Sequence, residues 1–334
     1  MASGDPCQSI DGLHSLPGNE THPLIVRILE LIETWTGRPR TRLIDRTISE
    51  FHAASSIFAP FTHVRKVAFF GGSRVQPDHE EYGLALRLAG LFVDHGFMVI
   101  TGAGPGIMAA AQKGSGRENG FGLRIRLPFH NPCNETIVND SKLTEHDYYF
   151  TRKVSFAWES DGFVVFPGGL GTLDETFEVL TMMQTGKTDI VPVIFVERPG
   201  GSFWDGCLQF LEQHMVKEGH LSPRELGLFT IYKQSEQALD HIKHFYKNFH
   251  SYRWQQESLV IHIRKQLTAE SMVDLNQRFV SLLKVGSLQQ QPCFFQPDKP
   301  IGSNPYSITL IPHARRYCQI RSLIDAINDA AVVL

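Results

Sequence analysis

The sequence has few of the features that mark secreted, membrane-spanning or metal-binding proteins. Its five cysteines are widely separated and never spaced as CxxC, which favours free thiols over disulfides or a zinc site. The histidines show no spacing such as HExxH, so we expect no metal. No apolar run approaches the roughly 18–20 residues that cross a bilayer, and residues 1–15 lack the basic and apolar regions of a signal peptide. These absences predict a cytoplasmic protein with no membrane partner.

Charge of one sign is not in excess either, because the formal net charge of the 334 residues is -3. Without a basic field, the protein is not expected to bind nucleic acid. Hydrophobic residues make up 42% of the chain, which is enough for a substantial core. The length suits one large domain or two unequal ones.

Three regions of different pattern divide the chain. Residues 1–64 hold two apolar stretches at helical spacing and are interpreted as a helical N-terminal arm. Residues 65–247 alternate apolar strands with amphipathic helices, which predicts an α/β fold with a doubly wound, mostly parallel, Rossmann-like sheet and helices on both faces. Residues 248–334 are predicted to form a small C-terminal α/β unit of βαβα order. Its long helix is placed at 269–285 and a Gln- and Pro-rich loop at 289–305.

The strongest chemical signal is a glycine-rich turn after a predicted buried strand that ends at Phe166. The turn consists of Pro167, Gly168, Gly169, Leu170, Gly171 and Thr172. A helix is expected to begin at about Leu173, and its first N–H groups have no partner within the helix. Because they carry the positive end of the helix dipole, these groups can bind a phosphate without any basic side chain. The Thr172 hydroxyl could add one more donor.

Two further turns are expected at the same edge of the sheet, where ligands bind in such folds. One includes Gly72 and Ser73, and its alternative interpretation is a simple strand-to-helix turn. The other contains Thr101, Gly102, Gly104, Pro105, Gly106 and Met108. It resembles a dinucleotide fingerprint, but Ile107 replaces the third glycine and no acidic residue ends the following strand. We interpret it as a second wall of the phosphate pocket.

Three charged residues near the phosphate turn are candidates for chemistry. Glu175 stands three residues after Thr172, a spacing that also fits a capping box, in which the acid only bonds back to the start of the helix. The alternative is that this carboxylate reaches the ribose of a bound nucleotide. Arg152 and Lys153 precede the buried strand. Such a pair is usually solvated, but two cations near the turn would suit a dianionic substrate.

Together these motifs resemble the LOG (Lonely guy) family of Rossmann-fold phosphoribohydrolases, whose hallmark is PGGxGTxxE. The resemblance covers about residues 66–238, and the stretches YYFTRK and EVLTMMQTGK look like its longer bacterial branch. It implies cleavage of the N-glycosidic bond of a nucleoside 5′-monophosphate, AMP-like or a cytokinin riboside monophosphate, to free base and ribose 5-phosphate. It also implies no metal or redox cofactor, and a homodimer or higher homo-oligomer. Glu175 and Arg152 fall on the catalytic pair of the family, and the glycines with Thr172 on its phosphate loop.

Two positions depart from the longer relatives, which often have glutamate where this chain has Ala109 and His130. A second interpretation therefore stays open: a non-enzymatic nucleotide or molybdenum-cofactor-type carrier on the same fold. A redox dehydrogenase is disfavoured by the failed dinucleotide fingerprint. Family members have also been labelled lysine decarboxylases, but no lysine of this sequence lies in a recognisable pyridoxal-phosphate setting.

Overall fold

The computed structural model describes residues 21–35, 40–128, 132–293, 306–314 and 316–333. Two compact units divide the chain, residues 1–49 and 50–334. The first contains helix α1 (Thr21–Trp35) and the beginning of helix α2 (Arg40–Phe58), which runs across the boundary. The domain limits expected at residues 64 and 247 stay predictions.

Seven strands of the described chain form one sheet, in which every neighbouring pair is parallel. They are β1 (Lys66–Phe70), β2 (Met98–Thr101), β3 (Gly120–Ile125), β4 (Leu143–His146), β5 (Gly162–Val165), β6 (Val193–Val196) and β7 (Phe229–Tyr232). Their spatial order is β4-β3-β2-β1-β5-β6-β7, so the order reverses between β1 and β5. Such a reversal opens a crevice at the carboxyl ends of the strands. The predicted Rossmann-like α/β fold is confirmed.

Helices cover the sheet because each buries one apolar stripe. They are α3 (Glu80–Asp94), α4 (Ile107–Ser115), α5 (Tyr149–Glu159), α6 (Leu170–Thr185), α7 (Phe203–Phe210) and α8 (Ser235–Phe245). In α3, for example, Leu84, Leu88 and Phe92 recur at a spacing of four and are buried. The ring of Phe92 meets Phe69 of β1 edge to face, with centroids 6.0 Å apart. Short 3-10 turns occupy Ala59–Phe61 and Pro223–Leu228, and a π-helical turn, Leu211–Val216, continues α7.

The C-terminal region differs from the predicted βαβα order. It contains β8 (Phe249–Gln255), β9 (Ser258–Ile263), α9 (Ala269–Arg278), a 3-10 turn (Val280–Leu282), β10 (Leu283–Pro292), β11 (Tyr306–Pro312) and α10 (Tyr317–Asp329). Four of these strands form an antiparallel sheet in the order β10-β11-β9-β8 within the residues that the structure describes.

Two expectations for this region are wrong. The helix placed at 269–285 ends at Arg278, and the glutamine run is not loop but part of β10. Gln289, Gln290 and Gln291 pair with β11, which supplies the backbone partners that a local pattern cannot show. Gln290 also bonds the backbone of Leu267 with both ends of its amide, at 2.8 and 3.1 Å. The rest of the predicted loop, 294–305, lies outside the described residues.

Among the helices that the structure describes, none has the length and apolar character needed to cross a membrane.

Candidate active site

The three glycine-rich turns meet at the carboxyl edge of the sheet, and Gly72 joins them. Its N–H donates to the Pro167 carbonyl (3.0 Å), and its carbonyl accepts the Ile107 N–H (3.1 Å). Gly106 faces the same carbonyl with φ at +69°, and a β-carbon there would overlap the Gly72 oxygen. The structure therefore brings the three turns together, and their interpretation as walls of a single pocket stays a prediction.

The phosphate turn is open, and its helix begins earlier than expected. Helix α6 starts at Leu170 rather than Leu173, because Gly169 adopts the extended N-cap conformation without any side-chain cap. The first bond that closes on the cap runs from Leu173 N–H to Gly169 C=O (3.1 Å). Gly169 and Gly171 are exposed, and Leu170 is 86% exposed. The turn at the start of α6 is therefore exposed, as phosphate binding at the helix N–H groups requires.

The new helix start also resolves the capping-box alternative. Since Gly169 is the N-cap, Thr172 lies inside the helix and Glu175 lies in its second turn, too far along to bond back to the cap. The Thr172 side chain is buried, and its hydroxyl packs directly against Gly168 in the turn. The capping-box reading of Glu175 is therefore wrong.

Glu175 instead pairs with Arg152, which reaches it from the first turn of α5. Arg152 Nη2 donates to Glu175 Oε1, and the two side chains are only 9% and 16% exposed. Burial raises the pKa of Glu175 above its ordinary value, and the charges of Arg152 and Lys153 oppose that rise. Arg152 Nε is buried and makes no hydrogen bond in the described part of the chain. The other end of the guanidinium, Nη1, lies 3.8 Å from the position of a β-carbon on Gly102.

Lys153 points away from the phosphate turn. Its ammonium group lies 2.8 Å from Asp174 Oδ2 and 2.6 Å from Glu178 Oε2, both on α6. Arg152 and Lys153 therefore fasten α5 to α6 through three acids. The structure brings both cations beside α6, but it places neither on the backbone N–H groups of the turn.

The second turn is shaped by polar side chains from behind. The Thr101 hydroxyl is fully buried, donates to Gln112 Oε1 (2.6 Å) and accepts the Ala103 N–H (3.0 Å). Thr101 therefore supports the turn and does not face a ligand. Met108 packs over Gly102 and Gly104, where added β-carbons would lie 2.9 Å from Sδ and 2.7 Å from Cε.

In the first and second turns, Ser73 and Pro105 are exposed. Asn134, which sequence reasoning missed, tethers the second turn by bonding the carbonyl oxygens of Ala103 (2.9 Å) and Gly104 (3.3 Å). Ala109 is half-buried in α4, whereas His130 lies outside the described residues. No three His, Cys, Asp or Glu side chains in the described ranges are grouped closely enough to hold a metal ion.

Comparison with known proteins points to one family. Residues 106–242 match the model of a protein family described as possible lysine decarboxylase. A Mycobacterium tuberculosis protein named cytokinin riboside 5′-monophosphate phosphoribohydrolase is 29% identical over 169 residues, which cover 49% of this chain and 86% of that protein. The Arabidopsis thaliana protein of the same name, LOG1, is 40% identical over 72 residues, covering 22% of this chain and 32% of its own length. The chain is thus similar to proteins of the LOG family.

The plant relatives are matched only in part. The rice protein LOGL3, named a probable cytokinin riboside 5′-monophosphate phosphoribohydrolase, is 32% identical over 94 residues, which cover 28% of this chain and 43% of that protein. The chain thus spans less than half the length of the rice and Arabidopsis relatives.

Solved structures with a similar fold include two proteins that their titles connect with molybdenum cofactor. The molybdenum cofactor binding protein of Rippkaea orientalis is 19% identical, with a TM-score of 0.38, over 54% of this chain and 96% of its own. The carrier protein of Chlamydomonas reinhardtii is 17% identical with the same TM-score and the same coverage. Similarity at this level carries no information about what the present chain binds.

A buried polar cluster behind Arg152 was not predicted. It consists of Glu50, Thr144, His146 and Thr151. Glu50 Oε1 accepts the Asp147 N–H (2.7 Å), and Oε2 accepts the Thr151 hydroxyl. The ring of His146 lies between Thr144 (3.2 Å) and Thr151 (3.3 Å), and burial lowers its pKa to about 4. No local pattern marks Glu50, because its partners follow about a hundred residues later in the chain.

Proposed function

We propose that this protein hydrolyses the N-glycosidic bond of nucleoside 5′-monophosphates and releases free base and ribose 5-phosphate. The observation that supports this most is the pairing of Arg152 with Glu175 beside the open start of α6. The names of the mycobacterial and plant relatives support the same reaction. The proposed substrates are AMP-like nucleotides or cytokinin riboside monophosphates.

The start of α6 is the proposed phosphate site. The N–H groups of Leu170 and Gly171 lie in the exposed turn and carry the positive end of the helix dipole. Phosphate held there would supply binding energy remote from the bond that breaks and would fix the position of the ribose. A nucleoside without phosphate should therefore be a much poorer substrate.

Glu175 is the proposed catalytic carboxylate. It stands five residues after Leu170, which places it about 7.5 Å along the helix axis from the phosphate site. Cleavage of the glycosidic bond passes through a ribose with positive charge on its ring. A carboxylate at this position can orient the ribose hydroxyls, stabilise that charge or accept a proton from the attacking water. In the balanced reaction the water oxygen bonds to the ribose carbon, and the base leaves with the electron pair of the broken bond and one proton.

Arg152 is the proposed partner of both substrate and Glu175. Its Nη2 holds the carboxylate, while Nε is a buried donor without an acceptor among the described residues. A buried unsatisfied donor is costly, so an oxygen of the substrate in this position would be stabilised. Lys153 is committed to Asp174 and Glu178, so we assign it to the shape of the site and its positive potential, not to direct phosphate binding.

A homodimer or higher homo-oligomer is also proposed. Large apolar side chains are exposed on the two helices that carry the catalytic pair: Tyr149, Phe150 and Trp158 on α5, and Leu170 and Phe177 on α6. Apolar residues grouped in this way are typical of surfaces that bind another protein. Sedimentation of the purified protein tests this, and a monomer at micromolar concentration would contradict it.

A carrier that binds nucleotide without cleaving it is the second candidate. One observation favours it: the charged groups expected to meet the substrate are bonded to each other, Arg152 to Glu175 and Lys153 to Asp174. This alternative uses the phosphate turn but leaves the buried carboxylate of Glu175 without a role.

One assay separates the two candidates. The pure protein is incubated with AMP, GMP, CMP, UMP and IMP, and free base is measured by chromatography, with the matching nucleosides as controls. The proposed function predicts release of base from at least one nucleotide and much slower release from its nucleoside. Tight binding without release would favour the carrier. Equal rates with and without the phosphate would contradict the phosphate site at α6.

A further inference from the structure

The direction of the Arg152 side chain depends on where α5 begins. Arg152 lies in the first turn of this helix, and the N-cap residue Tyr148 makes no side-chain hydrogen bond that would hold the helix start. The guanidinium carbon lies 5.3 Å from the ring centroid of Tyr149 and 5.9 Å from that of Phe156. These cation–π contacts do not fix the direction of the Arg152 side chain. A shift of the first turn of α5 would therefore move the guanidinium away from Glu175.

Glu50 supplies the cap that α5 lacks. One carboxylate oxygen accepts the N–H of Asp147, just before the N-cap, and the other accepts the hydroxyl of Thr151, one turn later. The Thr151 hydroxyl also lies 2.8 Å from the Tyr148 carbonyl, but its single proton favours the charged carboxylate. Glu50 therefore spans the turn from which Arg152 projects.

Because Glu50 carries a charge, its contact with the start of α5 depends on the positions of the two groups that donate to it. The residue is 5% exposed, and a buried carboxylate is tolerated only when donors surround it. His146, 3.6 Å from Oε2, faces it from β4. Because burial lowers the His146 pKa to about 4, that ring is neutral at pH 7 and adds no opposing charge. The Asp147 N–H and the Thr151 hydroxyl must stay in place to satisfy Glu50, and α5 is held with them.

We propose that Glu50 is a positioning residue, which fixes the first turn of α5 so that the Arg152 guanidinium meets Glu175. This inference rests on the proposed function for its kinetic consequences. It assigns to α2, which lies outside the region that matches the family, a direct part in building the catalytic pair.

The test uses substitutions that keep side-chain shape. Glu50→Gln and Thr151→Val each remove one half of the contact, and Thr151→Ser restores the hydroxyl. We expect Glu50→Gln and Thr151→Val to lower kcat by roughly 10- to 100-fold, because a misplacement of order 1 Å has such a cost. KM should rise less than kcat falls, since the phosphate site on α6 is untouched, and Thr151→Ser should recover most of the rate.

Glu225→Gln is the matched control. Glu225 also accepts one backbone N–H, from Ser222 (2.6 Å), and one side-chain hydrogen bond, from Gln184 (2.6 Å). It lies in the 3-10 turn Pro223–Leu228, however, beside the end of α6 that is far from the proposed site. A loss of kcat in this variant as large as in Glu50→Gln would mean that any lost capping carboxylate slows the enzyme, and would overturn the inference.

A double-mutant cycle separates positioning from general damage. If Glu50 acts through Arg152, then adding Glu50→Gln to Arg152→Ala should cost little further rate, because the group that it positions is already gone. Losses that multiply would overturn the inference.

A crystal structure of Glu50→Gln tests the same idea without catalysis. Arg152 Nη2 should lie beyond the roughly 4 Å of an ion pair from Glu175, whereas Glu225→Gln should keep the contact. An unchanged Arg152 would overturn the inference even if no nucleotide were cleaved. Failure of the wild-type protein to release base would count against the proposed function alone.

Discussion

Two buried arginine–carboxylate pairs lie at opposite edges of the parallel sheet, and they are satisfied in different ways. At the amino ends of β1 and β5, Arg65 Nη1 lies 3.2 Å from Asp161 Oδ1, and its Nη2 donates to the His250 carbonyl (3.0 Å). The guanidinium also stacks on the ring of Tyr246, 3.5 Å from the centroid. At the carboxyl edge, Arg152 pairs with Glu175 but keeps an unsatisfied Nε beside an open turn.

The difference shows how the same two side chains can serve stability or function. In the Arg65 pair, Asp161 also accepts the Lys66 N–H (3.0 Å), so backbone groups of β1 and β8 complete the contact. In the Arg152 pair, both partners are side chains on helices, and burial raises the pKa of the acid. A perturbed acid with an unsatisfied donor beside it is typical of a functional site. A pair whose contacts are completed by backbone groups is typical of a structural one.

The largest effect is expected at the amino edge. Asp161→Ala leaves Arg65 buried without its acid, so we expect the free energy of unfolding to fall by about 3–5 kcal/mol. Urea denaturation measures this loss, and kcat of the folded fraction should stay close to that of the wild type. A large fall in kcat with unchanged stability would break the comparison, because the amino edge would then take part in catalysis.

The next effect is expected at the open edge. Glu175→Gln should lower kcat by at least ~100-fold, which corresponds to about 2.7 kcal/mol of transition-state free energy. The free energy of unfolding should stay the same or rise slightly. The reason is that burial already raises the pKa of Glu175, so the fold disfavours the charged form and accepts a neutral amide. Base release measures the change in kcat, and urea denaturation of the same preparation measures the change in the free energy of unfolding. Normal base release by the folded variant would remove Glu175 from the mechanism.

The smallest effect is expected in the polar cluster behind Arg152, where the free energy of unfolding should change with pH. His146 has a pKa of about 4 in the folded chain against 6.5 for a free side chain, so between these values the unfolded chain binds a proton that the folded chain does not. Stability should therefore fall as the pH falls through this window, by about 1.4 kcal/mol per pH unit from this residue. We expect His146→Gln to remove that part of the slope in urea denaturation series. Equal slopes in the variant and the wild type would contradict a buried neutral ring.

Much of the parallel domain could be predicted because its signals are local. Strand β1 is buried along its whole length and is continuously apolar after Lys66, and such a run identifies a central parallel strand. The edge strand β4 was missed, since three of the four residues of Leu143–His146 are polar. It exists because β3 pairs with it, with Arg124 and Glu145 joined across the two strands at 2.8 Å. Strands β8 and β10 were not predicted for the same reason, since each depends on pairing with another strand.

The sequence by itself determined the central strands of the sheet, the three turns at its carboxyl edge and the similarity to the LOG family, because glycine spacing and apolar periodicity act over a few neighbouring residues. Only the tertiary structure decided that Glu175 faces Arg152 instead of capping its own helix, and that Lys153 is bound to Asp174 and Glu178. It alone decided that Glu50 holds the start of α5. The physical reason is that a charged side chain several bonds long reaches whichever partner the fold brings near. That partner here lies between 21 and 101 residues away in the chain.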